Sequence, residues 1–397
     1  TDSTPDDVME KSCELLAEGH SHPALFNDRI ITEGMMHYGL PASEACEYVH
    51  STCVEITPIA CSAVWVASPY INLPAILLEV LNGAGASGRE PNTYEELKRL
   101  YRACLSAKIA EEAQIQNTIQ RDRSLHGGDP LVSCFVSDCL DRGLDVDRGG
   151  ARYNWIMPSF VGMANLIDSF VVLDQGVFTE GHYTLSELRG YLGSDFESTA
   201  DIREELLSRY PKYGNNDPEV DSLATEIGGW IIEAVGSHDT FRGDRFIPSL
   251  FCWIQHERLG AQTGATPDGR SAGFPLGDGS GPAQGREHNG PTASILSATS
   301  WDHRPFIGGI AVNLKFSRKL FTGESASRLA ALVRVFMARG GFEVQVNVVD
   351  RETLLEARSH PELYKDLVVR IGGYSDFFVG LTPAMQDEVI LRSEHQV

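Results

Sequence analysis

Basic residues are scarce in this chain: 33 lysines and arginines stand against 55 aspartates and glutamates, a formal net charge of −22. A field of that sign repels phosphate backbones and anionic head groups, so nucleic acid and acidic membrane surfaces are excluded as partners. Long apolar runs are missing too. None approaches the roughly 20 residues that a bilayer-spanning helix needs. The opening Thr1-Asp2-Ser3-Thr4-Pro5-Asp6-Asp7 has neither the basic nor the apolar stretch of a secretory leader. It also lacks an initiating methionine, so the expectation is a cytoplasmic chain cut from something longer.

The eight cysteines (Cys13, Cys46, Cys53, Cys61, Cys104, Cys134, Cys139 and Cys252) contain no C-x-x-C pair. Cys134 and Cys139 have no histidines at zinc spacing, and no grouping suits an iron–sulfur cluster, so no metal site is expected. A disulfide scaffold is not expected of a long chain without a secretion signal. Most of these thiols read as small buried hydrophobes. The glycine-rich stretch 273–290 lacks the Lys-Ser or Lys-Thr of a phosphate-binding loop and reads as a long ordered loop at a module boundary. Internal repeats and low-complexity segments are absent.

What is present is a β-α alternation. Residues 94–118 carry apolar positions at helical spacing (Leu97, Leu100, Leu105, Ile109), and 73–81 and 161–172 read as apolar helices. Residues 307–312 and 342–349 read as strands, with a helix between them presenting Leu329, Leu332, Val333 and Phe336. Strands that are nearly continuous in apolar residues predict an α/β fold around a buried parallel sheet.

The chain end carries more. Val368, Val369 and Ile371 form a β-branched run that stops at Gly372-Gly373 and is expected to turn at Tyr374-Ser375; Gln386-Asp387-Glu388 and Arg392-Ser393-Glu394-His395 follow. Arg-Ile-Gly-Gly-Tyr-Ser in this setting closely resembles the C-terminal signature of glycyl radical enzymes, the family of pyruvate formate-lyase and the radical dehydratases. The resemblance implies that Gly373, directly before the tyrosine, carries a stable backbone radical. The chemistry asks for glycine independently. An α-carbon radical is stabilised when it lies flat between its amide nitrogen and its carbonyl, and a side chain would clash with the neighbouring peptide in that geometry. Dioxygen adds to such a radical and cuts the chain, so a buried loop in an oxygen-free cell is implied.

Ala42 to His50 is expected as a short helix with Ser43 as its cap, leading into Ser51-Thr52-Cys53-Val54-Glu55, a poor helix former that ends at Pro58. Cys-Val-Glu on a loop upstream of the glycine signature resembles the active-site loop of the family's eliminases. It implies Cys53 as the thiyl that removes a substrate hydrogen, and Glu55, in a dry pocket, as its acid–base partner. S–H bonds and C–H bonds beside oxygen or nitrogen are close in strength, so abstraction is nearly balanced. The substrate radical's remaining O–H or N–H then becomes acidic enough for a nearby carboxylate to take its proton. Pyruvate formate-lyase is similar at this point but has a Cys-Cys pair. Here Thr52 precedes Cys53, which favours elimination over acyl transfer, and Cys61 is assigned to packing. By the same resemblance Trp65 and Tyr70 would form an aromatic substrate wall. Val66 and Ala67 stand where glycerol-type members carry a His-Asp pair, which argues against a simple triol.

The family's fold implies the C-terminal half of a ten-stranded β/α barrel, entered by a cysteine loop and a glycine loop, with 1–275 as the lyase-like barrel portion and 276–397 as the glycine radical domain. It implies no bound cofactor, a radical installed after translation on Gly373, and an activating enzyme that uses S-adenosylmethionine and a 4Fe–4S cluster. A separate N-terminal half chain and a homodimer of the complete enzyme are further expected partners. The resulting function is a glycyl radical lyase, a dehydratase or eliminase acting on a small hydroxylated or amino substrate. The alternatives are a formate acetyltransferase and a non-catalytic radical-carrying subunit.

Overall fold

Five segments run parallel, side by side and in chain order, in the computed structural model, which describes residues 3–51, 53–83, 90–320 and 325–395. Segment 62–72 pairs with 153–161 through Ser62–Tyr153, Trp65–Ile156 and the strands Tyr70–Asn72 and Ser159–Val161. The second pairs with 246–250 at Ile156–Phe246 and Ser159–Ser249, and Leu250 pairs with Ile310. The strand Ala311–Phe316 then pairs with Glu343–Val348 along its whole length. Parallel neighbours require a crossover, and each one is helical: Leu73–Leu81 and Tyr94–His126, then Met163–Val172 and Pro218–Gly236, then Gly290–Ala298, then Ser325–Ala338. Leu25–Phe26 lies antiparallel on the far edge of Glu343–Val348.

The local rules explain most boundaries. Asn72 caps Leu73–Leu81 by accepting from the Ala75 N–H, with proline in the first turn. Thr93 caps Tyr94–His126 in the same way, and that helix runs on past residue 118 to Gly127. Its inner stripe (Leu97, Tyr101, Leu105, Ile109) joins the main core with Phe170, Trp230 and Ile231. The strand expected at 307–312 starts later, at Ala311, because a 3-10 turn at Arg304–Phe306 and the Gly308-Gly309 pair occupy the earlier positions. The 273–290 stretch is largely buried through Leu276 to Pro282, and Ser280 N–H donates to the Ala311 carbonyl at 3.1 Å.

One expectation fails in a way that matters. The helix over 42–50 is a single turn, Ala42–Ala45, with Pro41 rather than Ser43 in the cap position. Tyr48–His50 is a strand, antiparallel to Ile56–Pro58. Tyr48, Val49, Ile56 and Thr57 are aromatic or β-branched, and pairing rewards such side chains more than a solvent-exposed helix turn would. The cysteine segment is therefore the tip of a hairpin. Among the described residues, no helix is long and apolar enough to cross a membrane.

Candidate active site

The hairpin tip is closed by Ser51 N–H donating to the Glu55 carbonyl at 2.8 Å. Glu55 is 1% exposed, and its Oε2 accepts from the N–H groups of Cys53 at 3.1 Å and Val54 at 3.2 Å. The carboxylate thus folds back on its own loop and fixes the backbone that carries the thiol. Thr52 lies outside the described residues. Val54 packs on Gly309, where an added Cβ would come 2.7 Å from Val54 Cγ2, so the tip is wedged against the start of the fourth sheet segment.

The glycine signature is also a hairpin, Val368–Arg370 against Ser375–Phe377. Ile371 N–H donates to the Tyr374 carbonyl at 2.9 Å, so the turn is Gly372-Gly373 itself, two residues before the expected Tyr374-Ser375. Gly373 has φ +85, a value that the third position of such a turn requires and that side chains disfavour. Both glycines are buried. A Cβ added to Gly373 would meet Cys53 Cβ and Phe251 Cε2, each at 2.6 Å; one added to Gly372 would meet Asp278 Oδ2 at 2.8 Å and the Trp253 carbonyl oxygen at 2.9 Å. The two tips therefore meet, and it is Gly373 whose side-chain direction faces Cys53.

Tyr70 joins this cluster, packing on Cys252 and Leu276. Burial, then the neighbouring Cys252, Glu55 and Cys53, push its phenol above the ordinary range. Trp65 does not join it. Its ring lies under the Arg123 guanidinium at 4.5 Å, and the two line a cavity of about 210 Å³ with Asp147 and Arg242, a cavity lined by none of Cys53, Glu55 and Gly373. Tyr70 lies five positions after Trp65, whereas its partner Ser159 lies three positions after Ile156. The strand bulges between them, with Ala67 at φ 48, and this breaks the common wall that strict alternation would give.

Polar residues that composition does not single out hold the glycine hairpin. Along Glu343–Val348, Val344, Val346 and Val348 face an apolar cluster, while Glu343, Gln345 and Asn347 face the hairpin. Asn347 Oδ1 accepts from Arg370 N–H at 2.7 Å, and its amide donates to the Arg370 carbonyl at 3.0 Å. Gln345 Oε1 accepts from Gly373 N–H at 3.1 Å. From the terminal helix Pro383–Leu391, Glu388 pairs with Arg392, whose guanidinium donates to the carbonyls of Arg370 at 3.0 Å and Ile371 at 2.9 Å. Burial pushes the Glu343 carboxyl up to about 8, with Asp278 adding to the shift and Gln345 and Arg370 opposing it.

Beneath Gly372 lies a second group. The Cys252 thiol donates to Asp278 Oδ1 at 2.6 Å and sits 3.2 Å from His256 Nδ1, while Asn313 donates to Asp278 Oδ2 at 2.8 Å. Cys252 is thus no mere apolar filler. The three donor atoms lie within 4.8 Å of one another, but the sulfur–oxygen distance is that of a hydrogen bond; ligands sharing one zinc ion would stand about 3.5 Å apart. Burial and Asp278 raise the thiol well above its usual range. The spacing of Cys252 and His256, one helical turn apart, was the only sequence signal for this group.

A family model described as pyruvate formate lyase-like matches residues 1–260, and one described as glycine radical matches residues 276–379. The chain is 32% identical over 408 residues to trans-4-hydroxy-L-proline dehydratase of Clostridioides difficile, covering 98% of this chain and 51% of that protein. It is 31% identical to (2S)-3-sulfopropanediol dehydratase of Klebsiella oxytoca, covering 99% of this chain and 50% of that one. Among solved structures, the glycerol-bound B12-independent glycerol dehydratase from Clostridium butyricum superposes with a TM-score of 0.94 at 33% identity, over 100% of this chain and 52% of that chain. The C. difficile hydroxyproline dehydratase with its substrate bound gives 0.95 at 31% identity, over 99% and 51%. The chain spans about half the length of the curated relatives it matches.

Proposed function

This chain belongs to the pyruvate formate lyase-like, glycine-radical family, and from that premise we propose that it forms the radical-bearing part of a glycyl radical lyase that cleaves a C–O or related bond in a small hydroxylated or amino substrate. The observation that carries this reading is the buried contact of the two hairpin tips, with Gly373 directed at Cys53 and Glu55 two residues away. An activase that uses S-adenosylmethionine and a 4Fe–4S cluster removes one α-hydrogen atom from Gly373. The glycyl radical takes the hydrogen atom of Cys53 S–H, leaving a thiyl. The thiyl takes a hydrogen atom from substrate carbon, restoring S–H and leaving a substrate radical. Glu55 accepts the proton of the adjacent O–H while the neighbouring leaving group departs with its electron pair. The product radical recovers the hydrogen atom from Cys53, and the thiyl returns the radical to Gly373.

The packing supports this division of labour. Glu55 is buried beside the thiol's own backbone, so proton and hydrogen-atom acceptors are held next to each other on one loop. Gly373 is enclosed by Phe251 and Cys53, which shields a radical from dioxygen. Gly373, Cys53 and Glu55 are the proposed catalytic residues, and Tyr70 a substrate-facing one. Segments 1–275 and 276–397 are proposed as the barrel portion and the radical domain. The remaining barrel half, carried in the same polypeptide or a separate one, completes the substrate pocket, and the complete enzyme is proposed to be a cytoplasmic homodimer.

The test is anaerobic activation followed by a panel of hydroxyprolines, diols, amino alcohols and hydroxysulfonates. An electron paramagnetic resonance doublet that collapses with α-deuterated glycine, together with aldehyde, imine or sulfite formation, is the expected result. Acetyl exchange between pyruvate and coenzyme A, without elimination from any of these, would overturn it.

A further inference from the structure

The peptide N–H of Gly373 donates to Gln345 Oε1 at 3.1 Å. The same oxygen accepts from Arg370 Nε at 3.2 Å, and the Gln345 amide nitrogen donates to Glu343 Oε2 at 2.9 Å. Two donors converging on one oxygen fix which end of the amide faces the glycine. The whole relay is dry: Glu343 is 0%, Gln345 1% and Arg370 4% exposed. In such surroundings hydrogen bonds are stronger than in water and polarise one another along a chain.

A glycyl radical is stabilised by sharing its unpaired electron with the adjoining amide nitrogen and carbonyl. How much the nitrogen contributes depends on how strongly its proton is drawn away. An acceptor on Gly373 N–H makes that nitrogen a better electron donor and holds the peptide plane in which delocalisation occurs. We infer that Gln345 is a positioning residue for the radical, drawing spin density from the Gly373 α-carbon onto its nitrogen, with Glu343 orienting the Gln345 amide. This rests on the reading of Gly373 as the radical site. No atom is transferred; the relay biases the balance between a glycyl radical beside a Cys53 thiol and a glycine beside a Cys53 thiyl. A hydrogen bond of ordinary net strength corresponds to about a five-fold shift in that balance.

The experiment uses the chain as its host makes it, activated anaerobically, with glycine labelled by nitrogen-15. Gln345→Met keeps length and bulk but accepts nothing from Gly373. Its nitrogen hyperfine coupling should fall, its proton doublet should widen, and its radical should decay about five-fold faster in anaerobic storage. Gln345→Glu retains an acceptor and should return both couplings to wild-type values or beyond. Unchanged couplings in Gln345→Met would overturn the inference. If the methionine variant holds no radical, Gln345→Glu decides alone: a nitrogen coupling below wild type counts against the relay. A wild-type protein that forms no glycyl radical defeats the premise itself, which is a different outcome from a radical whose couplings ignore Gln345.

Discussion

Replacing Asn347 by leucine should unlock the glycine hairpin while leaving the rest of the chain nearly intact. In the hairpin ladder the Ile371–Tyr374 pair exchanges the hydrogen bond, so Arg370, one residue earlier, directs its N–H and carbonyl away from its partner strand. Asn347 takes both, at 2.7 and 3.0 Å, from a position only 6% exposed. Leucine has nearly the same shape, so no cavity is opened. The Arg370 carbonyl keeps its Arg392 partner, but the N–H is left buried and unpaired. An unsatisfied buried donor costs about 1–3 kcal/mol, and the second lost bond adds about 1 kcal/mol. The hairpin should therefore be weakened by about 2–4 kcal/mol, which is roughly a 30- to 1,000-fold rise in its open population. Native-state hydrogen exchange of peptides spanning 368–377 measures this directly. Val346→Ala, on the opposite face of the same strand, is the control. It removes core packing and should lower global stability without singling out the hairpin. If Asn347→Leu left exchange of 368–377 unchanged, or raised exchange equally everywhere, the anchoring role assigned to this strand face would be wrong.

Alanine at either glycine should prevent a well-formed loop, because both added methyls meet atoms under 3.0 Å away; alanine variants therefore do not separate Gly372 from Gly373. Admitting dioxygen to the activated enzyme does, since chain cleavage is expected at Gly373, and fragment masses placing the cut at Gly372 would refute the assignment. Cys53→Ser should abolish turnover while the glycyl signal persists, because serine's stronger O–H bond does not yield its hydrogen atom to a carbon radical; retained turnover would remove Cys53 from the mechanism. Glu55→Gln should slow product formation by roughly 10²–10⁴-fold, and near-full activity would leave the elimination without its base. Glu343, raised from 4.5 to about 8 by burial and faced by Arg370, Gln345 and Asp278, keeps its proton in the fold after the unfolded chain has lost it. Stability should thus fall as pH rises from about 4.5 to 8, by at most about 1.4 kcal/mol per unit. Glu343→Gln should flatten that slope, and parallel melting-temperature profiles for the two proteins would count against it.

Much of this molecule was legible residue by residue. The helix at Leu73–Leu81 and the start of Tyr94–His126 follow from apolar residues at helical spacing, and the strand Glu343–Val348 from an apolar run. Gly373 and Cys53, the proposed radical and thiyl residues, stand out in the sequence because each sits in a short contiguous motif whose proposed chemistry needs that residue type. The hairpin at Tyr48–Pro58 departs from the expected helix because a nine-residue stretch with two glutamates satisfies helical rules locally, whereas pairing with Ile56–Pro58, itself bonded to the Ile307 carbonyl, selects the strand. Trp65 and Tyr70, close in sequence, separate because a bulge, invisible to alternation, turns one away from the cluster.

Local patterning therefore settles most helices and strands and the short motifs around Cys53 and Gly373, since these depend on steric freedom within a few neighbours, whereas the strand at Tyr48–His50 and the place of the glycine turn did not follow from it. Which polar atoms of the strand Glu343–Val348 meet the glycine hairpin was decided by the tertiary structure. Glu343, Gln345 and Asn347 alternate with valines in a strand buried on both faces, so no local signal marks them. Beyond the Gln345–Glu343 bond within the strand, they meet the hairpin only when the sheet brings their face to residues 23 to 28 positions away in the chain. The contact of Cys53 with Gly373 spans most of the chain, and no short-range preference can encode a distance that arises from closing the fold.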